Sequence, residues 1–377
     1  MNRGISVNPN VVVKPNLRIK AFYLFFIITS LQTGSGIMGV PRYIFMEAKQ
    51  DAWISVLIAG GLIHLVVAVM LVILNKYENA DILGIQMDIF GKWIGKLLGT
   101  GYIIYFFFVL VSVLVDYIQV IQIFVFPRVS PWLLSLMLIL LIIYAVSGGL
   151  RVAVGVTFLF FFFSLWLLIF LYKPISLMDF EHFQPVLQAS PAELLRGARK
   201  TVYSYIGLEI LFFIYPFIDN KRKAKQSAHL GVLLTTFLIL LVTVICIGYF
   251  SGRELVEQIW PVLVLFKIVE YAIIGRFDVL VVTEWMMVIL PNIIFLTWMI
   301  TYSMKRLYKV PQRKALYAVG ATAFVGAGLV KNEVVILNYI DRVATAGFWI
   351  AFVYPMLLFP IVLIKRRKYT KQKDGKD

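Results

Sequence analysis

The sequence predicts an all-α integral membrane protein of ten transmembrane helices, built as two inverted five-helix repeats with helices one and six interrupted. Three observations carry that expectation. Hydrophobic residues make up 61% of the 377-residue chain and charged residues 15%, with a mean hydropathy of +0.87, whereas a soluble domain carries about 25% charged residues. Long apolar runs alternate with short charged connections, and they are too long and too uniform for the alternating strands of a membrane barrel. Finally, the first and sixth runs each hold glycine and proline inside the apolar stretch: Gly34, Gly36, Gly39 and Pro41 in one, Gly207 and Pro216 in the other.

Taken in order, residues 1–18 are polar, contain two prolines and read as a disordered tail. The spans follow at about 19–45, 53–74, 97–120, 132–148, 152–172, 201–218, 228–250, 277–304, 314–331 and 344–364. The first has a basic flank, but no small-residue cleavage site follows it, so it is read as a retained span. Residues 19–364 then form one ten-helix domain, and 365–377 a basic tail. Gly84–Gly99 is amphipathic and is expected to lie on the membrane surface. The connections Lys173–Lys200 and Ser251–Arg276, the latter with the helical-looking LVLFKIVEY, read as interfacial.

An even number of spans puts both ends on one side. Most of the 36 lysines and arginines fall in segments that share that side, notably Lys221–Lys225, Lys305–Lys314 and the tail from Lys365. The positive-inside rule therefore places both termini in the cytoplasm. This distribution also accounts for the net charge of +16 without nucleic acid, and makes anionic lipid the nearest partner of the tail. Five plus five spans turn the second half upside down, so span six corresponds to span one.

Broken helices need a reason. In hydrocarbon every backbone N–H and C=O must find a partner, so unwound backbone survives only where it is buried in protein or lines a cavity. Transporters use paired interruptions as ligand sites, since a half-helix N-terminus attracts a carboxylate and freed carbonyls attract cations. On this reading Thr33, Gly34, Ser35 and Gly36 are ligand-binding, because glycines two apart lie on different helix faces and do not form a close-packing stripe. Gly207 marks the second break.

Glu209 lies two residues beyond Gly207, deep in span six, where a carboxylate is costly and faces a cavity or a partner. Two readings stand: it holds a ligand amine or carries a proton, or it is a structural acid paired to a tyrosine hydroxyl or backbone N–H. Asp116 and Glu284 raise the same question nearer the outer ends of spans three and eight, as ion or proton groups or as interfacial and structural acids. Tyr105 either closes over a ligand or packs with a hydroxyl partner. Tyr203 and Tyr205 precede the second break and are gate candidates. Arg42, Asp51 and Trp53 read as structural anchors of helix ends.

Catalysis and metal binding find no support. Cys246 is the one cysteine, and His64, His182 and His229 are scattered singly with no ligand spacing. No P-loop, nucleophile elbow or dinucleotide fingerprint occurs in a usable context. The expectation is no enzyme, no cofactor and no metal.

Thr33-Gly34-Ser35-Gly36-Ile37 with Pro41 resembles the first-helix motif of the amino acid–polyamine–organocation transporter superfamily. More narrowly, Pro41-Arg42 followed by Ala48–Ser55 (AKQDAWIS) resembles the B-subunit family of bacterial spore-germination receptors. The Trp-Pro connection ending in Arg276-Phe277-Asp278, Glu284-Trp285 and the basic loop Lys221–Lys225 fit the same family, over nearly the whole chain. The resemblance implies a LeuT-like bundle with a ligand between helices one, three, six and eight. It implies a role in sensing nutrient germinants at the spore inner membrane beside A and C subunits, and the helix-one break makes an amino acid the expected nutrient. An H+- or Na+-coupled amino-acid or polyamine transporter of the same fold is the alternative, and the residues alone do not separate the two.

Overall fold

The computed structural model describes residues 9–268, 277–330 and 332–373. The first apolar run is two helices, α1 (Tyr23–Gln32) and α2 (Gly36–Ala48), separated at residues 33–35. After a turn at Lys49–Asp51 come α3 (Ala52–Asn75), α4 (Ile82–Phe124), α5 (Pro131–Ser147) and α6 (Leu150–Ser164), the last prolonged by a 3-10 stretch and α7 (Tyr172–Ser176). α8 (Pro191–Val202) leads through a 3-10 turn at Tyr203–Tyr205 into a second interruption, and α9 (Ile210–Ile214) resumes beyond it. α10 (Lys221–Tyr249), α11 (Gly252–Glu257), α12 (Pro261–Lys267), α13 (Phe277–Tyr308), α14 (Gln312–Leu329) and α15 (Glu333–Gly347) follow. A π-helical turn at Phe348–Val353 joins α15 to α16 (Tyr354–Lys373). Among the described residues there is no β-strand, only two isolated bridges.

Among the described residues, six helical stretches are long and apolar enough to cross a bilayer: 36–75, 82–124, 150–176, 221–249, 277–308 and 333–365; Tyr23–Gln32 and Pro131–Ser147 are apolar but shorter. Local chemistry sets the boundaries. Proline opens α5, α8 and α12, where its missing N–H costs nothing. Ser190 with Glu193 and Ser251 with Glu254 form capping boxes on the outer connections. Asp51, buried at the turn before α3, accepts the N–H groups of Leu187, Gln188 and Ala189 at 2.8, 2.7 and 2.8 Å. Arg42 Nε donates to Val256 O at 2.7 Å. Both residues thus tie the C-terminal end of the first run to the long connections, as structural anchors.

α1 packs against α10, α6 and α13, and α4 packs along α13. Gly231 on α10 lets the helices approach until the Thr29 hydroxyl reaches Gly231 O at 3.2 Å.

Three expectations are corrected. Gly84–Gly99 is not a surface helix along its length: Ile82–Gln86 are buried, and the chain folds back at Gly91 (φ 83°) so that Gly95 abuts the backbone of Met87. Residues 9–18 are not a disordered lead-in. Val11 N–H donates to Asn79 O at 2.8 Å, and Arg306 Nη2 to Pro9 O at 3.1 Å. His64 and His229 are not isolated, since their Nδ1 atoms lie 2.9 Å apart between α3 and α10. Residues 1–8, the 269–276 part of the Ser251–Arg276 connection, and the tail beyond 373 lie outside the described residues.

Candidate functional site

The two interruptions meet at the centre of the bundle. A Cβ on Gly207 would fall 3.0 Å from Leu31 Cβ and 3.1 Å from Leu31 O, and Gly207 itself has φ 109°. Only glycine accommodates both that backbone and that approach. A Cβ on Gly36 would reach Ser204 Oγ at 3.5 Å, an ordinary contact. The residues expected to break helices one and six therefore do so, and the breaks abut.

At the first break, Thr33 N–H and Thr33 Oγ1 both donate to Thr29 O, at 2.9 and 2.8 Å. Ser30 O accepts Asn292 Nδ2 at 2.8 Å. Ser35 is the N-cap of α2 but makes no side-chain cap, and the first turn of α2 holds no acidic residue. Ile37 and Met38 N–H turn back onto Gly34 O and Ser35 O at 3.4 and 3.2 Å, so the positive end of this thirteen-residue helix is offered mainly by the N–H groups before them. Gly36 is exposed there although it lies inside the apolar run.

Asp116 sits on α4 with its carboxylate beside the Ser35 hydroxyl and the Trp260 indole. It is buried within the protein. It brings a negative charge to the N-terminal side of α2. A cavity of about 90 Å³ borders the same break, with Ser30, Thr33, Ile37, Phe266, Trp285 and Val288 among its lining residues.

Glu209 is fully buried at the second break. Its Oε1 accepts the Tyr105 hydroxyl at 2.7 Å, and its Oε2 accepts Gly207 N–H at 2.7 Å. Of the two readings of Glu209, the geometry is that of the structural pair, and Tyr105 is its hydroxyl partner. Tyr205 is fully buried with its hydroxyl 2.7 Å from Thr236 Oγ1. Tyr203 is half-buried, its ring 5.8 Å from the Lys200 ammonium. Glu284 stands apart beside Trp166, with Oε1 buried and unpartnered.

Asn292, Ser204 and Trp260 belong to this site and were not anticipated. A signal for one of them exists: Asn292 is an amide directly after Pro291 in an apolar run, and polar side chains at membrane depth need partners.

The family model for spore germination proteins matches residues 18–334. The chain belongs to the spore germination protein family. Among its relatives, spore germination protein GerQB of Bacillus cereus is 30% identical over 345 residues, covering 92% of this chain and 94% of that protein. Spore germination protein A2 of Bacillus subtilis (strain 168) is 23% identical over 362 residues, covering 94% and 98%. Among solved structures, a Na+-coupled sialic acid symporter in its substrate-bound outward-open state superposes with a TM-score of 0.64 at 11% identity, over 92% of this chain and 78% of that one. This spore germination protein is thus an integral membrane protein with a LeuT-like transporter fold. The likeness extends to a transporter and to germination permeases, not to an enzyme family.

Proposed function

We propose that this chain is the membrane B subunit of a nutrient-germinant receptor, and that it binds a small amino acid at the helix-one break. The observation that carries the reading is the pairing of opposite charge across a few residues. The uncapped N-terminus of α2 suits a carboxylate, and the buried Asp116 carboxylate beside Ser35 suits an ammonium. A zwitterion satisfies both at once. The apolar cavity of about 90 Å³ that borders the same break at Thr33 and Ile37 supports a ligand with a small aliphatic side chain. Asp116 replaces Glu209 as the partner of the ligand amine, since both oxygens of Glu209 are already hydrogen-bonded.

The ligand acts by binding one arrangement of the bundle better than another, because only differential affinity shifts a population. In this reading the chain lies in the spore inner membrane with both termini cytoplasmic, and works beside A and C subunits. A Na+- or H+-coupled amino-acid or polyamine transporter of the same fold is the second reading, carried by the likeness to the symporter. Its sodium form is disfavoured by Asn292, whose amide, a donor needing no cation, satisfies the carbonyl freed at Ser30.

The test is the melting temperature of the detergent-purified chain against amino acids, sugars and nucleosides. A small aliphatic amino acid should raise it, while its amide and its decarboxylated amine should not, and Asp116→Asn should abolish the rise. A rise from a sugar or nucleoside alone would overturn the ligand class.

A further inference from the structure

A second cavity, of about 840 Å³, opens at the opposite end of the bundle from Asp51, where α13 gives way to α14. Its walls differ sharply in character. One is basic: Lys305, Arg306, Lys309 and Arg313 line it, and no carboxylate does. The other is apolar and aromatic, with Phe217, Trp298 and Tyr302 at its floor; Trp298 and Tyr302 stack at 5.1 Å and Phe217 meets both edge-on.

Two of these cations are engaged by the fold: Arg306 reaches Pro9 O at 3.1 Å and the buried Asp81 at 3.4 Å, and the Arg313 guanidinium lies 5.9 Å from the Tyr317 ring centre. Lys305 and Lys309 are exposed and form no ion pair among the described residues. Lys305 and Arg306 complement the carbonyl end of α13, but Lys309 and Arg313 lie beyond it. Pro311, the N-cap of α14, has no side chain to offer the leading N–H groups of that helix. Two lysines without an ion pair among the described residues, Arg313 held against the exposed Tyr317 ring, and a helix N-terminus without a side-chain cap therefore line one side of a cavity whose other side is apolar.

We propose that this cavity binds a phosphate-bearing anion with an apolar attachment, the headgroup and upper acyl chain of an anionic phospholipid. The phosphate lies against Lys305, Lys309 and Arg313, and the acyl chain against the Phe217–Trp298 floor. Basic pockets between transmembrane helices recognise lipid headgroups in this way. The occupant would touch both broken helices from below. Leu17, which lines the cavity, leads into α1 through Ile19, whose N–H donates to Phe217 O at 2.8 Å, and Phe217 closes the segment that follows α9. Lipid bound here holds the inner ends of the two interrupted helices together. The inference does not depend on the nature of the ligand at the helix-one break.

The experiment uses the full chain in detergent, titrated with dioctanoyl phosphatidylglycerol, dioctanoyl phosphatidylcholine and inorganic phosphate, with melting temperature as the readout. Phosphatidylglycerol should give a saturable rise and phosphatidylcholine none. The double variant Lys305→Gln, Lys309→Gln should weaken the apparent affinity by about thirtyfold, from about fivefold for each lysine near an anionic surface, and arginine at both positions should retain it. Arg313→Gln, at an exposed side chain, provides a second variant should the double change disturb folding. A rise with inorganic phosphate alone, lost in the same variants, would support the anion site and assign it to a soluble phosphate. Equal responses to the two lipids, or a phosphatidylglycerol response untouched by these substitutions, would overturn the proposal.

Discussion

Asn292 Nδ2 donates to Ser30 O across 2.8 Å, and through that bond α13 completes the interrupted first helix. Unwinding at residues 33–35 frees the Ser30 carbonyl, and a buried carbonyl without a donor is costly. In a transporter such a carbonyl attracts a cation. Here a neutral amide does the work.

Asn292→Leu should therefore lower stability by about 1–3 kcal/mol, the cost of one orphaned buried carbonyl. It is measured as a drop in melting temperature of the purified chain. The wild-type melting temperature should not respond when Na+ is exchanged for choline at constant ionic strength. A clear Na+-dependent rise would place a cation at the break after all.

Gly207→Ala forces a side chain into φ 109° and against Leu31. Backbone strain of this kind costs about 1–3 kcal/mol. The variant should accumulate poorly or melt early, whereas Gly36→Ala, whose Cβ meets only Ser204 at 3.5 Å, should melt close to wild type.

Glu209 and Tyr105 separate a structural acid from a proton carrier. Glutamine at position 209 can accept Gly207 N–H and donate to the Tyr105 hydroxyl, so Glu209→Gln should keep both stability and nutrient response. Tyr105→Phe removes one of two donors to a buried carboxylate and should cost about 1–3 kcal/mol. A folded Glu209→Gln protein without response would instead make the proton at Glu209 functional.

The outer anchor predicts a local defect. Asp51→Ala strips three backbone N–H groups at Leu187, Gln188 and Ala189 of their acceptor, at a cost of about 2–3 kcal/mol for charge-assisted bonds of this kind. Limited proteolysis should then cut near residue 187, and a cleavage pattern like that of the wild type would show that the connection is held by other contacts.

The interruptions were legible because their chemistry is local: glycine and proline inside an apolar run leave few alternatives to a break. The partners of the breaks were not, because they are supplied by distant elements. Asp116 reads from sequence as an ion or proton group or as an interfacial or structural acid, and its neighbours Ser35 and Trp260 come from distant elements that spacing along span three does not report. His64 and His229, 165 residues apart in sequence, meet through the packing of α3 on α10, which no spacing encodes. Residues 9–18 have the composition of a loose tail, yet Asn79 and Arg306 hold them through backbone atoms, and composition does not report backbone pairing. The hydroxyl partner of Tyr205, Thr236, lies 31 residues away on α10 and is likewise not encoded by local spacing.

The most direct test of the central claim is germination of spores carrying Gly36→Leu or Gly36→Ala, with protein level followed in the same spores. The alanine variant should respond to its nutrient nearly as the wild type does. The leucine variant, which fills the space at the start of α2, should accumulate normally and lose the response. Full germination with leucine at position 36 would contradict a ligand site at the helix-one break.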